Sequence, residues 1–125
     1  MLVRGKSKGS SMSKYLHNVE KWLDLQEYSV ESPAKVTGRS GVSHDVALYG
    51  EDSRGRRFIM EFVSSDDLVR EEEVVRLFAI RLDTNVEVLM VVHPGLTKRA
   101  AELAKLYGIT VLDTSGLGSL SSILG

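Results

Sequence analysis

Residues 86–113, VEVLMVVHPGLTKRAAELAKLYGITVLD, decide the fold, because they contain one complete strand-helix-strand unit. The run Val86–Val92 is almost continuously apolar, which is typical of a strand that is covered on both faces. After a short turn, Thr97 is a candidate N-cap for a helix that extends to Tyr107. Residues 109–113 are again apolar and predict a second buried strand. Two buried strands joined by a helix indicate a parallel pair with a right-handed crossover.

The sequence before this unit predicts two helices and three short strands. A first amphipathic helix is predicted from residue 12 to residue 28, and Ser32-Pro33 breaks the pattern after it. A second helix is predicted from residue 67 to residue 82, with acids in its first turns, where the helix dipole favours them. Turn-forming stretches separate the strand-like runs and suit antiparallel neighbours. These runs are Ala34–Thr37, His44–Tyr49 and Arg57–Val63.

The element order is therefore α-β-β-β-α-β-α-β, which indicates an α/β fold with a mixed central sheet and helices on both faces. With 125 residues, the chain fits a single domain, which we place at residues 12–125. Residues 1–11 are basic and rich in glycine and serine, and we interpret them as a flexible tail. Residues 115–125 are expected to form a loop or a weak final helix.

The composition excludes several classes of protein and site. The chain has 16 basic and 17 acidic residues and a formal net charge of −1, so it lacks the excess charge of a strongly basic nucleic-acid binder. It contains no cysteine, which excludes thiolate zinc sites and cysteine nucleophiles and is compatible with the cytoplasm. No apolar run approaches the roughly 20 residues of a membrane span, so no membrane association is expected.

Two carboxylates on the predicted strands are the main candidates for a functional site. Glu61 lies within the apolar run FIMEFV, and a buried carboxylate is costly unless it is paired or binds a metal. If the strands pair through the turn at residues 50–55, Asp45 can converge on Glu61, and Mg²⁺ is the natural cation between two such oxygen ligands. The alternative is structural, with Asp45 paired to Arg39 and Glu61 paired to Arg57 or to the first helix.

The runs GRSGVSHDVALY, FIMEF and VVHPGLTKRAAELAKLYGITVLD together resemble the Mrr-type branch of the restriction-endonuclease-like (PD-(D/E)xK) nuclease superfamily. This superfamily also includes archaeal Holliday-junction resolvases. The resemblance extends over residues 12–113 and follows the element order given above. It implies a nuclease fold that acts on or binds DNA, with Mg²⁺ or Mn²⁺ as the cofactor and a homodimer as the assembly.

The same resemblance assigns roles to individual residues. It places Asp45 and Glu61 at the two metal-binding acids of the superfamily motif. A lysine is expected two residues after the second acid, where this sequence has Val63. Glu20 on the first helix corresponds to an acid that some resolvases contribute. Lys35 is a candidate replacement cation, whereas Arg57 lies about 13 Å from Glu61 along the strand.

Several polar and basic residues are candidates for contact with the DNA backbone, which would position a duplex without reading its sequence. They are Arg39, Ser40, Arg54, Arg56, Arg57 and Lys98. Three hypotheses remain open at this point. The protein is a Mg²⁺-dependent endonuclease with a displaced cation, a non-cleaving nuclease-fold subunit that binds DNA or assembles with other proteins, or an interaction domain without a nucleic-acid role.

Overall fold

A computed structural model describes the backbone of residues 2–113 and the side chains of residues 13–112. Within this part of the chain, no helix is long and apolar enough to cross a membrane. The elements, in chain order, are α1 (Leu2–Leu25), β1 (Ser29–Glu31), β2 (Ala34–Thr37), β3 (Ser43–Val46), β4 (Leu48–Glu51), β5 (Arg57–Ser64), α2 (Glu71–Thr84), β6 (Glu87–His93), α3 (Lys98–Leu106) and β7 (Thr110–Asp113).

The central sheet is mixed, as the sequence predicts, and its strand order is β1-β4-β5-β6-β7. The pairs β1–β4 and β4–β5 are antiparallel, whereas β5–β6 and β6–β7 are parallel. The strands β2 and β3 form a separate antiparallel hairpin. Together with the flanking helices, this arrangement confirms the α/β class.

The unit at residues 86–113 forms as predicted. The hydroxyl of Thr97 accepts a hydrogen bond from the backbone N–H of Ala100 at 3.1 Å, so it caps the first turn of α3. Gly108 follows the helix with φ +70°, a conformation that glycine adopts at little cost. Of the seven β6 residues, only Glu87 and His93 at its ends are not buried, as expected for a central parallel strand.

The sheet separates two apolar cores. On one face, α1 places Val19 and Leu23 against the side chains of Phe58, Met60 and their neighbours. On the other face, α2, α3 and the β2–β3 hairpin cover a second core. That core includes Ala34, Val46, Ile59, Leu77, Val88 and Ala104. The helices therefore lie on both faces of the sheet, which confirms the predicted layering.

Several predicted boundaries were wrong. The backbone is helical from Leu2 to Leu25 as α1, so the first helix ends three residues before its predicted end at residue 28. The strand β1 was missed, since only three residues precede the break at Ser32-Pro33. α2 begins at Glu71, four residues later than predicted, because Val69 is extended and forms a parallel bridge with Leu96. The prediction for residues 115–125 lies outside the described residues.

The largest departure concerns the predicted strand His44–Tyr49, which is broken at Ala47. In one continuous strand, Val46 and Leu48 would share a face. In the structure, Val46 packs in the core under α2 and Leu48 in the core under α1. The chain therefore passes from the hairpin to the central sheet at Ala47, and Asp45 does not share a face with Ala47 and Tyr49 as it would in one continuous strand.

Candidate functional site

Glu61 is the buried carboxylate of the central sheet. It lies on β5, only 8% exposed, and faces the α2 side of the sheet, like Ile59 and Val63 before and after it. Burial raises the pKa of Glu61, and the nearby Glu73 acts in the same direction. The positive charge of Arg76 lowers the pKa and so opposes this effect, as does a hydrogen bond from the backbone N–H of Ala47. The environment therefore favours the protonated form more than water does.

The residue that stands opposite Glu61 is Ala47. Leu48 pairs with Met60 in the antiparallel β4–β5 ladder, so the preceding residue, Ala47, continues that register to Glu61. The hydrogen bond between the Ala47 N–H and the Glu61 carboxylate agrees with this position. The side chain opposite the buried acid is thus a methyl group, which offers no ligand atom.

Asp45 does not reach Glu61. It faces solvent on β3 with 79% of its side chain exposed, and its Oδ1 lies 2.6 Å from Nζ of Lys35, the residue opposite it in the hairpin. The predicted pairing of Asp45 with Arg39 is also wrong, because Arg39 donates to the backbone carbonyl of Leu82 at 2.7 Å. The break at Ala47 explains why the two acids stay apart, since it takes β3 out of the register that would join them.

The remaining candidates near the acid lie elsewhere. Glu20 is carried by α1, which covers the opposite face of the sheet from the one that Glu61 faces. Arg57 is exposed at the first residue of β5, opposite Glu51, and is not the ionic partner of Glu61. His93 is exposed at the carboxyl end of β6. The positive charge that acts on Glu61 is that of Arg76 on α2, an exposed side chain that pairs with Glu73 at 3.1 Å.

A second polar cluster, which the sequence analysis missed, surrounds Asp83 at the end of α2. Its carboxylate accepts hydrogen bonds from the backbone N–H of Ser40 at 2.9 Å and from the Ser40 hydroxyl at 2.7 Å, and it lies 2.7 Å from Nε2 of His44. These contacts lower the pKa of Asp83 to about 2, with the His44 contact the largest cause. The cluster fastens the β2–β3 hairpin to α2. Nothing in the sequence links residues so far apart.

The candidate DNA-contacting residues lie at two opposite edges of the sheet. Arg54, Arg56 and Arg57 precede or begin β5, and Arg56 pairs with Glu87 at the start of β6 at 3.2 Å. Arg39 and Ser40 lie near this edge, because both bond the last turn of α2. Lys98 instead begins α3 beyond the carboxyl end of β6, about 20 Å away along the seven-residue strand.

Lys98 lies beside an open cleft of about 370 Å³ between the first turns of α2 and α3. Its charged lining is balanced, since two arginines and two acids face it and one pair, Arg99 and Glu71, is already bridged at 3.4 Å. The lining residues are Asp67, Leu68, Arg70, Glu71, Thr97 and Arg99. The cleft therefore shows no strong preference for an anion or a cation.

Comparison with solved structures identifies the fold, whereas no protein-family model and no curated protein matches the sequence. A protein of unknown function, AF1548, is 18% identical with a TM-score of 0.68, over 84% of this chain and 60% of that protein. Protein VC1899 from Vibrio cholerae is 15% identical with a TM-score of 0.62, over 87% and 31%. A repair endonuclease from Pyrococcus abyssi is 18% identical with a TM-score of 0.50, over 69% and 38%.

The chain has a restriction-endonuclease-like fold. It spans between 31% and 60% of the length of these three proteins, so it corresponds to one part of each of them. At these identities, the likeness establishes the fold alone.

The donor set around Glu61 does not fit the metal centre that this nuclease fold implies. A divalent cation needs several oxygen ligands, and here a single carboxylate stands opposite a methyl group. In the part of the chain whose side chains are described, no three His, Asp or Glu residues are grouped to hold a metal. The charge of Arg76 only partly offsets the burial of Glu61, so the raised pKa favours the neutral acid at this position.

We expect Glu61→Gln to stabilise the protein at neutral pH. The amide keeps an acceptor for the Ala47 N–H and removes the cost of a buried charge. The folded-state pKa of Glu61 is raised above the ordinary value of 4.5. The wild type therefore loses stability as the pH rises from 4.5 through the folded-state pKa, whereas the glutamine variant does not. Urea unfolding at several pH values should show a gain in the free energy of unfolding for the variant at neutral pH that disappears below pH 4.5. A variant that is less stable than the wild type at pH 7 would contradict this account.

Proposed function

We propose that this protein is a nuclease-fold DNA-binding protein that does not cleave DNA. The observation that carries the proposal is the arrangement at Glu61, where Ala47 stands opposite the acid and Val63 follows it two residues later. Hydrolysis of a phosphodiester by this fold needs a metal between two acids and a cation beside the attacking water. Here Asp45 faces solvent instead of Glu61, Ala47 stands opposite Glu61, and Val63 occupies the position of the lysine.

The arginine-rich edge supports binding of DNA. Arg54 and Arg57 are both exposed next to the Arg56–Glu87 pair, and no ion pair engages either of them within the described residues. Exposed guanidinium groups bind phosphate oxygens and release counterions from the duplex. A net charge of −1 limits the strength of this binding, so we expect a dissociation constant of roughly 1–100 µM, the range of nonspecific complexes.

The proposal is tested by fluorescence anisotropy with linear and four-way branched DNA at several salt concentrations. An Arg54→Gln, Arg57→Gln double variant should bind more weakly and should reduce the slope of log K against log salt by about 2. Lys14→Gln is the control, because Lys14 is an exposed base on α1 and is not among the candidate DNA contacts. An unchanged slope in the double variant, or no binding at low salt, would overturn the DNA-binding part.

A Mg²⁺-dependent endonuclease is the second candidate function, since Glu61 retains the buried acid of the motif. The same DNA substrates are therefore incubated with Mg²⁺ or Mn²⁺. We expect no product. Cleavage by the wild type that disappears in Glu61→Gln would establish the endonuclease and refute the non-cleaving proposal, whereas cleavage that persists in this variant identifies a contaminant.

A further inference from the structure

α2 carries an apolar stripe on its outer face in addition to the one that it buries. Val74, Leu77 and Ile80 pack into the core, whereas Val75 is 48% exposed and Leu82 is 51% exposed. Ala79 is also exposed, and these three outer residues follow the i, i+4, i+7 spacing of a single helical stripe. A surface helix usually turns a polar face to water, so a second apolar stripe indicates a surface that is covered in a complex.

The tip of the β2–β3 hairpin lies beside the end of α2. Val42 is 55% exposed in the loop between the two strands. That loop is fastened to the last turn of the helix, because the backbone N–H of Arg39 donates to the carbonyl of Asp83 at 2.8 Å and its guanidinium donates to the carbonyl of Leu82. The apolar stripe therefore ends beside the exposed Arg39.

Opposite charges flank the stripe at its two ends. The first turn of α2 is acidic, and Glu72 is its exposed member. Glu73 is bound by Arg76 and Glu71 by Arg99, whereas Glu72 has no ionic partner in the described part of the chain. The other end carries Arg39. α2 has 14 residues and is about 21 Å long. Its outer surface is therefore acidic at the first turn, apolar in the middle and basic beyond the last turn.

We propose that this outer face of α2 binds a second copy of the chain through an antiparallel, two-fold symmetric contact. With the axis near Ala79, Val75 packs on Leu82 of the partner subunit, and Glu72 meets Arg39 of the partner subunit. A surface that is acidic at one end and basic at the other is complementary to itself in this orientation. The small side chain at the centre allows close approach of the helices.

The absence of cysteine from the chain allows a direct test of this geometry. Ala79→Cys places one thiol near the axis, so mild oxidation should link two chains rapidly through residue 79. Leu106→Cys is the matched control, since Leu106 is 75% exposed on α3 outside the stripe. Equal rates of cross-linking for the two variants, or no cross-linking through residue 79, would overturn the proposal.

Sedimentation equilibrium of the cysteine-free protein provides the independent measurement. The proposed contact involves only one face of a 14-residue helix and the adjoining loop, so it is small for a specific interface. The wild type should therefore show a monomer–dimer equilibrium at micromolar concentrations. Ala79→Glu places like charges across the axis and should give monomers, with the fold checked by circular dichroism. Leu106→Glu should leave the equilibrium unchanged. A wild type that is monomeric throughout the range refutes self-association and leaves a different protein as the occupant of this face.

The charges are tested by reversal. Glu72→Arg should weaken the dimer at least tenfold, and the double variant Glu72→Arg, Arg39→Glu should recover most of the loss, because it restores opposite charges across the axis. Recovery would support the antiparallel register. A double variant that is weaker than both single variants would refute it.

Discussion

An Ala47→Asp, Val63→Lys double variant is expected to bind Mn²⁺ or Mg²⁺ and to cleave DNA, whereas the wild type should do neither. Position 47 continues the β4–β5 register opposite Glu61, so an aspartate there brings a second carboxylate to the buried acid. Two adjacent carboxylates repel unless a cation lies between them. Val63 lies on the same face of β5 as Glu61 and is only partly buried, so a lysine there can direct its ammonium group towards the new site.

Thermal unfolding separates metal binding from catalysis. In the presence of a chelator, Ala47→Asp should melt below the wild type, because it adds a charge beside a buried one. Metal at about 100 times its dissociation constant should then stabilise the variant by about 2.7 kcal/mol, while the wild type shows no shift. Ala47→Asn is the control of matched size without the charge. A rise in the wild-type melting temperature on addition of metal would contradict our account of the site.

Cleavage should require both substitutions. Val63→Lys alone supplies the cation without the second ligand, so we expect it to remain inactive. Adding Glu61→Gln to the double variant should abolish any activity that appears, since it removes the shared ligand. Activity of Val63→Lys alone would show that the second metal ligand is supplied from a residue other than position 47.

Gly50→Ala is expected to be among the most destabilising single substitutions. Gly50 lies in β4 between Val30 of β1 and Phe58 of β5, and a Cβ atom there would overlap with the Phe58 ring. That ring is completely buried and is held edge-to-face by Tyr28 with the ring centres 5.8 Å apart, so it has no room to move aside. Overpacking of this kind costs about 1–3 kcal/mol.

The matched control is Gly95→Ala. A Cβ atom at this position would lie 3.7 Å from the Leu68 side chain, which is an ordinary contact, and the backbone is not in the left-handed region. Urea midpoints should therefore differ strongly between the wild type and Gly50→Ala and only slightly between the wild type and Gly95→Ala. Similar midpoints for the two variants would show that the core around Phe58 rearranges freely.

The elements that sequence predicts well are those whose signals are local. Thr97 caps α3 through a residue three positions later, and the apolar run before His93 is long enough to indicate a buried strand whatever its neighbours. These signals correctly gave the parallel part of the sheet. They depend on the chemistry of the adjacent residues, so tertiary contacts did not override them.

The arrangement of the site depends on contacts that sequence does not encode locally. The alternation around Asp45 and Leu48 is that of one continuous strand, and only packing against two different cores breaks it at Ala47. A one-residue change in strand phase moves every side chain to the other face, which is why Asp45 was assigned to the site and Ala47 was overlooked. The pairing of His44 with Asp83 likewise joins residues 39 positions apart.

The crossing at Ala47 also has a consequence for how the domain loses its structure. Val46 and Leu48 are anchored in cores on opposite faces of the sheet, with a single residue between them. The hairpin cannot detach from α2 without pulling on the strand that is embedded under α1. Fraying of one layer is therefore transmitted to the other, and the two faces are expected to unfold as one cooperative unit rather than as separate layers.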